Sequence, residues 1–388
     1  MSQISCSKTP QFHRHLGSYG GDVLGPLVIC FGGIHGNEPA GALALRQVIQ
    51  TLQQTAPALK GKFLAFAGNV AALNQGCRFM QRDLNRMWKP ERVHSLNAQE
   101  PPIIETAEDS EQRELLNIIE AELKIKHGEV IFLDLHTTSS DGAPFALISD
   151  TLTNRRLAQA LGTPLILGLE ESIDGTILNY INDLGHAAIG FEAGQDEAPQ
   201  SIQNHAAAVW VTLVEVGCLA PEDAPDLPAL RHTLRQASRG LPSVFEVRYR
   251  HAITADDAFM MQPGFPNFTR VEKQQPVAED RRGAVRVNER GFLFMPLYQA
   301  LGEDGFFLVR EVKPFWLRVS AWLRRANVDS LLHWLPGVHY LRADKNSLII
   351  NTKIARWFVI EICHLLGFRK HSQVGEQLII SRRKQARK

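Results

Sequence analysis

The sequence predicts an α/β fold in which a sheet carries helices on both faces, followed by a small β domain and a mixed helical tail. Three observations carry that expectation. Short apolar runs of strand length alternate with segments of helical period from Pro26 to Val216. Near Cys218 the character changes to short β-like runs punctuated by Gly, Pro and Asp. Three of the buried-type runs end in a turn bearing a reactive residue, and ligands bind at the carboxyl ends of strands in open α/β sheets. At 388 residues the chain exceeds what one core usually holds. The expected division is an α/β domain over 1–220, a linker over 221–242, a small β domain over 243–312 and an extension over 313–388 of unassigned role.

Taken in order, Pro26 to Phe31 reads as a buried strand entering Gly32-Gly33, then His35 and Glu38. Pro39 opens the helical run Ala40 to Leu52, with Leu43, Leu45, Val48, Ile49 and Leu52 suited to one face. Proline is favoured there because its missing N–H would be unpaired anyway. Lys62 to Val70 is a second buried strand. Ala71 to Trp88 reads as a polar loop, and Lys89 to Glu108 as irregular. Ser110 to Lys126 has helical period, and Glu129 to Leu135 is a central strand ending at His136. Phe145 to Ser149 and Pro164 to Leu169 are strands, with a helix at Thr153 to Leu161 between them. Ala187 to Phe191 is a strand ending at Glu192, and Ser201 to Val216 is a helix. Pro221 to Pro228 is acidic and Pro-rich, which suits a linker. Ser243 to Val312 supplies the β-like runs. Phe315 to Asn327 and Thr352 to Phe368 read as apolar helices.

Composition is that of an ordinary globular chain, with 44% hydrophobic and 21% charged residues. The net charge of +1 gives no overall argument for nucleic acid or a membrane surface. Cys6, Cys30, Cys77, Cys218 and Cys363 are scattered, odd in number and free of any Cys-x-x-Cys, which points to a reducing compartment. Met1 to Leu16 lacks the apolar core of a signal peptide, and no run approaches a membrane span of roughly 18 apolar residues. The expectation is a cytoplasmic enzyme with neither nucleic acid nor membrane as partner; homo-oligomerisation stays open. Arg382, Arg383, Lys384, Arg387 and Lys388 read as a solvated basic tail.

His35 and Glu38, at i and i+3, can place two metal ligands on one side of a turn, although a polar turn and helix cap is the plainer reading of the pair alone. Catalytic zinc takes three protein ligands and leaves one position for water. His136, at another strand end, closes a two-His, one-carboxylate set. Asp134 suits a carboxylate that orients a ligand histidine. Glu192 suits a general base that takes the water's proton and returns it to a leaving amine. Arg78, Asn85 and Arg86 form a third cluster, because guanidinium groups grip carboxylates and one near the metal can stabilise an oxyanion. The plainer alternatives are a cap for His136 and a salt-bridged loop for Arg82 and Asp83. His127, His186, His205 and His364 read as structural or surface residues, and Asp174-Gly175-Thr176 as a turn.

Gly33-Ile-His-Gly-Asn-Glu-Pro-Ala-Gly41, Arg78 with Arg82-Asp-Leu-Asn-Arg86, Asp134-Leu-His-Thr-Thr138 and Phe191-Glu-Ala-Gly194 together resemble the succinylglutamate desuccinylase/aspartoacylase family, a branch of the zinc carboxypeptidase-like fold. All four blocks occur in the family's order, and the small β domain is similar, more weakly, to the family's C-terminal domain. The resemblance implies a mixed sheet and hydrolysis of the amide of a small N-acyl amino acid. It implies one Zn2+ per chain held by His35, Glu38 and His136, with Glu192 as general base for a water on the metal. Arg78 matches the residue that polarises the scissile carbonyl, and Asn85 and Arg86 match those that bind the α-carboxylate. No arginine stands between Thr176 and Gly190 to hold a second carboxylate, and Tyr249 and Tyr298 are the candidates for a substrate tyrosine of the C-terminal domain. A metallocarboxypeptidase, which would use Asn85 and Arg86 on a peptide terminus, is the competing enzyme reading. A binding protein on a hydrolase scaffold is the competing class.

Overall fold

Strand after strand in the first half is apolar on both faces, which is what a parallel sheet covered by helices on each side requires. In the computed structural model, which describes residues 11–97, 106–125, 127–196, 198–299, 302–341, 344–351, 353–354 and 357–382, the order begins β1 (His15–Gly20), β2 (Leu27–Gly32), α1 (Ala40–Thr55), β3 (Lys62–Ala67), α2 (Val70–Gln75), α3 (Pro90–Asn97) and α4 (Ala107–Leu123). It continues with β4 (Val130–Thr138), β5 (Phe145–Ile148), α5 (Leu152–Leu161), β6 (Leu165–Leu167), α6 (Ile177–Asp183), β7 (Ala187–Gln195), α7 (Pro199–Glu215) and α8 (Leu227–Ala237). Then come β8 (Val244–Ala252), β9 (Met260–Met261), β10 (Thr269–Val271), β11 (Pro276–Asp280), β12 (Gly283–Arg286), β13 (Gly291–Phe294) and β14 (Asp304–Glu311). The extension holds α9 (Pro314–Arg325), β15 (Val338–Leu341), β16 (Asp344–Asn351), α10 (Trp357–Leu365), β17 (Phe368–Val374) and β18 (Gln377–Arg382).

One mixed sheet of eleven strands runs β1-β3-β2-β4-β7-β5-β6-β8-β14-β13-β10. Its centre is parallel, β3, β2, β4 and β7 pairing in sequence, so the carboxyl ends of β2, β4 and β7 lie side by side. Leu45, Val48, Ile49 and Leu52 of α1 pack with α5, α7 and α8 on one face. Leu115, Leu116 and Ile119 of α4 pack with α6 on the other. Each such side chain contributes about 1.5–3 kcal/mol on burial, which fixes the register of the helices over the sheet.

The second half differs from expectation in an instructive way. Strands β8, β14, β13 and β10 extend the main sheet rather than closing a sheet of their own, and of the strands between 243 and 312 only β9, β11 and β12 form a separate small one. The 221–242 stretch carries α8, whose Leu227 and Leu234 enter the main core. Residues 313–382 carry the two expected helices, as α9 and α10, and add a four-stranded antiparallel sheet, β15-β16-β18-β17, that the sequence did not announce. Helical period at Thr352 to Phe368 is real only for α10, because β16 reaches Asn351 and β17 starts at Phe368. The irregular expectation at Lys89 to Glu108 also yields in part, to α3 and to the Thr106 cap of α4, with 98–105 outside the described residues. Residues 1–10 and 383–388, with Cys6 and most of the basic tail, lie outside them too; Cys30, Cys77, Cys218 and Cys363 are free thiols.

The extension is clamped to the sheet by a buried charge cluster. Asp150, after β5, accepts from Arg155 of α5, from Arg324 of α9 at 2.9 Å and from Arg369 of β17 at 2.9 Å. Arg369 also donates to Glu171 and Glu246, each at 3.2 Å. Burial opposes the charge on Asp150, but the three guanidinium groups outweigh it and hold the carboxyl well below the usual carboxylate range.

Candidate metal centre and active-site cavity

The turn between β2 and α1 is built to hold side chains close to a backbone crossing. Gly33 has φ +76°, a conformation other residues rarely adopt, and a Cβ on Gly36 would lie 2.1 Å from the Ala72 carbonyl carbon. This folding presents His35 and Glu38 at the carboxyl end of β2. His136 stands at the end of β4, and Glu192 faces it in register on β7.

Side-chain atoms of His35, Glu38 and His136 lie within 4.8 Å of one another, and all three residues are buried. Both histidines turn Nδ1 towards Glu38: His35 Nδ1 is 2.8 Å from Oε1 and His136 Nδ1 is 3.0 Å from Oε2. Their Nε2 atoms carry other carboxylates, Asp83 Oδ1 at 3.1 Å for His35 and Asp134 Oδ2 at 2.8 Å for His136. Glu38 Oε2 also accepts from the Thr137 backbone N–H at 3.1 Å.

This donor set fits a metal. A neutral imidazole that donates Nε2–H to a carboxylate leaves its Nδ1 lone pair for a cation, and that outer hydrogen bond fixes the tautomer. A dication among the two Nδ1 atoms and Glu38 would satisfy all three at once. Around it the carboxylates Glu38, Asp83 and Asp134 face Arg78, with Arg86 beyond; burial opposes charge on His136, but Asp134 and Glu38 outweigh it and raise its imidazole well above the usual range, so the pocket favours a cation. Burial opposes the charge on Glu38, but His35 and His136 pull its carboxyl below the usual range through charge and hydrogen bonds. Burial likewise opposes charge on Asp83, and His35 with Arg78 and Arg86 outweighs it.

Glu192 behaves in the opposite sense. It is buried, its Oε2 has no partner, and burial pushes its carboxyl well above the usual range; His136 opposes that rise, while Glu38, Asp196 and Asp134 add to it. Asp196, just after β7, is raised to about 6, chiefly by burial and by Glu38.

A cavity of about 900 Å³ opens on these groups. Its walls include His35, Glu38, Arg78, His136 and Glu192 from the α/β half, with Arg250, Met295, Glu303 and Asp304 from the later strands. Arg78 Nη2 lies 3.1 Å from His35 Nε2 and donates to Asp83 Oδ2 at 3.2 Å. Arg86 lines the same cavity and donates to Asp304 at 3.3 Å; Asp304 is also gripped by Arg250. Asn85 sits on the adjoining wall, where its Oδ1 accepts from the Ile177 N–H that starts α6 at 3.0 Å.

The structure therefore brings all seven expected site residues to one cavity region. It also brings there residues with no weight in the sequence, Thr137, Asp304 and Arg250, with Asp196 close enough to Glu38 to feel its charge. Asp83 is a partner of His35 rather than a member of a salt-bridged loop alone, a role its place in Arg82-Asp-Leu-Asn-Arg86 hinted at. Tyr249 and Tyr298 are absent from the walls; the Tyr298 hydroxyl donates to the Gln262 carbonyl at 2.8 Å. His205 is buried against Phe191 and pushed down to about 3, chiefly by burial.

Residues 24–214 match the family described as succinylglutamate desuccinylase/aspartoacylase catalytic domain. The chain belongs to this family. It is 23% identical to a succinylglutamate desuccinylase of Paraburkholderia xenovorans (strain LB400), over 69% of this chain and 76% of that protein. It is 29% identical to a probable aspartoacylase of Nostoc sp. (strain PCC 7120 / SAG 25.82 / UTEX 2576), over 40% of this chain and 44% of that one. Among solved structures it shares its fold with a succinylglutamate desuccinylase/aspartoacylase from Rhodobacter sphaeroides, at TM-score 0.55 and 16% identity, covering 75% of this chain and 86% of that one.

Proposed function

We propose that this family member hydrolyses the amide bond of a small N-acyl amino acid, using one zinc ion held by His35, Glu38 and His136. The observation that carries the reading is the buried His–Glu–His set beside an unpartnered buried carboxylate, Glu192. The relatives named as a succinylglutamate desuccinylase and a probable aspartoacylase support the substrate class.

Zinc bound there would supply Lewis acidity for the scissile carbonyl and for water. Glu192 takes a proton from the attacking water and passes it to the leaving amine, a role suited to a carboxyl whose pKa is raised. Arg78, beside the ligand set, stabilises the developing oxyanion. Arg86 and Asn85 hold the amino acid's α-carboxylate, and Asp304 fixes the guanidinium of Arg86. Residues of β8, β14 and the loops between them wall one side of the cavity, which favours a small substrate over the peptide of a carboxypeptidase.

Amine release from a panel of N-acyl amino acids and short peptides, by zinc-loaded protein with Glu192→Gln as control, tests this. Glu192-dependent turnover of acyl amino acids is expected. Turnover confined to peptides would replace the reading with a carboxypeptidase, and zinc binding without any turnover would favour a binding protein.

A further inference from the structure

The net charge of +1 conceals a strong asymmetry. Residues 313–388 carry 15 Lys/Arg against 4 Asp/Glu, a formal +11, whereas residues 1–312 carry 27 against 37, a formal −10. Such a division is a pointer to a polyanionic partner for the basic part. This part lies outside the matched family domain, so the hydrolase reading does not account for it.

The exposed apolar surface is concentrated in the same place. Six of the thirteen exposed large apolar residues among those described lie in the extension, which is under a fifth of the chain. Helix α9 carries three of them, Phe315, Trp316 and Trp322. Leu317, Ser320 and Arg324 are buried against the body. On the opposite face Phe315, Arg318, Trp322 and Arg325 follow at i, i+3, i+7 and i+10, with Phe315 56% and Trp322 66% exposed. Trp316 stands beside Phe315, the two rings packed edge to face at 5.5 Å. Arg318 and Arg325 form no ion pair among the described residues, whereas Arg324, one residue from Arg325, is fully engaged by Asp150 and backbone carbonyls.

We propose that the outward face of α9 is a docking surface for an anionic lipid membrane, on which the extension lies without crossing it. Aromatic rings with interleaved arginines suit the boundary between acyl chains and acidic headgroups. The charge argument alone would equally admit nucleic acid. The further exposed aliphatic residues of the extension, Leu331 and Ile354, favour lipid, because they gain from an apolar phase and offer nothing to a base stack. No described helix is long and apolar enough to span a bilayer, and the expectation that a membrane is not a partner rested on that criterion and on net charge. Lying on a surface needs neither a span nor a net basic chain.

Flotation of the full chain with vesicles tests the proposal. Vesicles of phosphatidylglycerol and phosphatidylcholine mixed should carry the protein at low salt, and pure phosphatidylcholine should not. Tryptophan emission should shift to the blue on binding, and binding should fall as salt rises. Arg318→Gln with Arg325→Gln should weaken partition on the order of thirtyfold. Phe315→Ser with Trp322→Ser should abolish the emission shift, with unchanged circular dichroism and amidohydrolase activity in both variants. Absence of flotation at low salt, or flotation indifferent to both double variants, would overturn the proposal. So would tighter binding of a single-stranded oligonucleotide through the same residues, or a dimer that dissociates in Phe315→Ser/Trp322→Ser.

Discussion

Two of the buried clusters of charge among the described residues are built on opposite principles. Around Asp150 three carboxylates, Asp150, Glu171 and Glu246, meet three arginines, Arg155, Arg324 and Arg369. Every carboxylate there has a cationic partner, with Arg310 and His364 adding to Glu246 at the rim, and the cluster needs nothing from outside. Around Glu38 four carboxylates, Glu38, Asp83, Asp134 and Glu192, face one arginine, Arg78, and two histidines that can be neutral. Isolated charge is costly to bury. The unbalanced cluster therefore suits a cation at its His–Glu–His set, and one of its carboxyl groups, Glu192, has a buried oxygen without a hydrogen-bond partner. Balance marks a clamp and imbalance marks a site, although both look alike as a list of buried ionisable residues.

The comparison breaks if the two clusters respond alike to substitution. The largest effect expected is from His136→Ala, which should reduce both bound zinc, measured by elemental analysis, and amide hydrolysis to background. Glu192→Gln should keep zinc at wild-type content and lower kcat on the order of a hundredfold or more; near-normal turnover would remove it from the mechanism. Arg324→Ala should do the reverse. Removing one partner of a buried pair leaves an uncompensated charge and costs about 3–5 kcal/mol, read as a shift in the urea midpoint. Zinc content per folded chain should stay unchanged. Asp134→Asn sharpens the contrast further: it keeps the fold but should weaken zinc affinity about 10–100-fold, because the ligand histidine loses its orienting carboxylate.

The centre of the site was legible because it is local in sequence. His35 and Glu38 share one turn, and His136 and Glu192 each end a strand whose apolar run is plain, so parallel pairing of β2, β4 and β7 brings them together. Asp304 and Arg250 were not legible. They come from β14 and β8, whose membership of the main sheet depends on a parallel pairing with the three-residue β6, and nothing in periodicity encodes such a partner choice. The strands of the extension were missed for a related reason: charged and polar residues interrupt β15 to β18, so only the apolar stretches at α9 and α10 announced themselves. Asp150, likewise, is a lone acid in a loop until the chain brings Arg324 and Arg369 to it from 174 and 219 residues away.

The smallest effect expected concerns pH. Burial raises the Glu192 carboxyl, and Glu38, Asp196 and Asp134 add to the rise against the opposing influence of His136. A base with a raised pKa is protonated, and so idle, over a wider acidic range than an ordinary carboxyl. The acid limb of kcat/KM should therefore lie above the usual glutamate range, with activity gained as pH rises through it. Bound zinc, being positive and close by, would draw that limb downward, so its position reports how strongly the dication offsets the negative surroundings. Asp196→Asn removes one of the charges that raise Glu192 without touching a proposed ligand or base. Its acid limb should move to lower pH by a fraction of a unit, with zinc content unchanged. A limb that stays in place would mean that Asp196 does not reach Glu192, and that desolvation with the nearer carboxylates Glu38 and Asp134 sets the base.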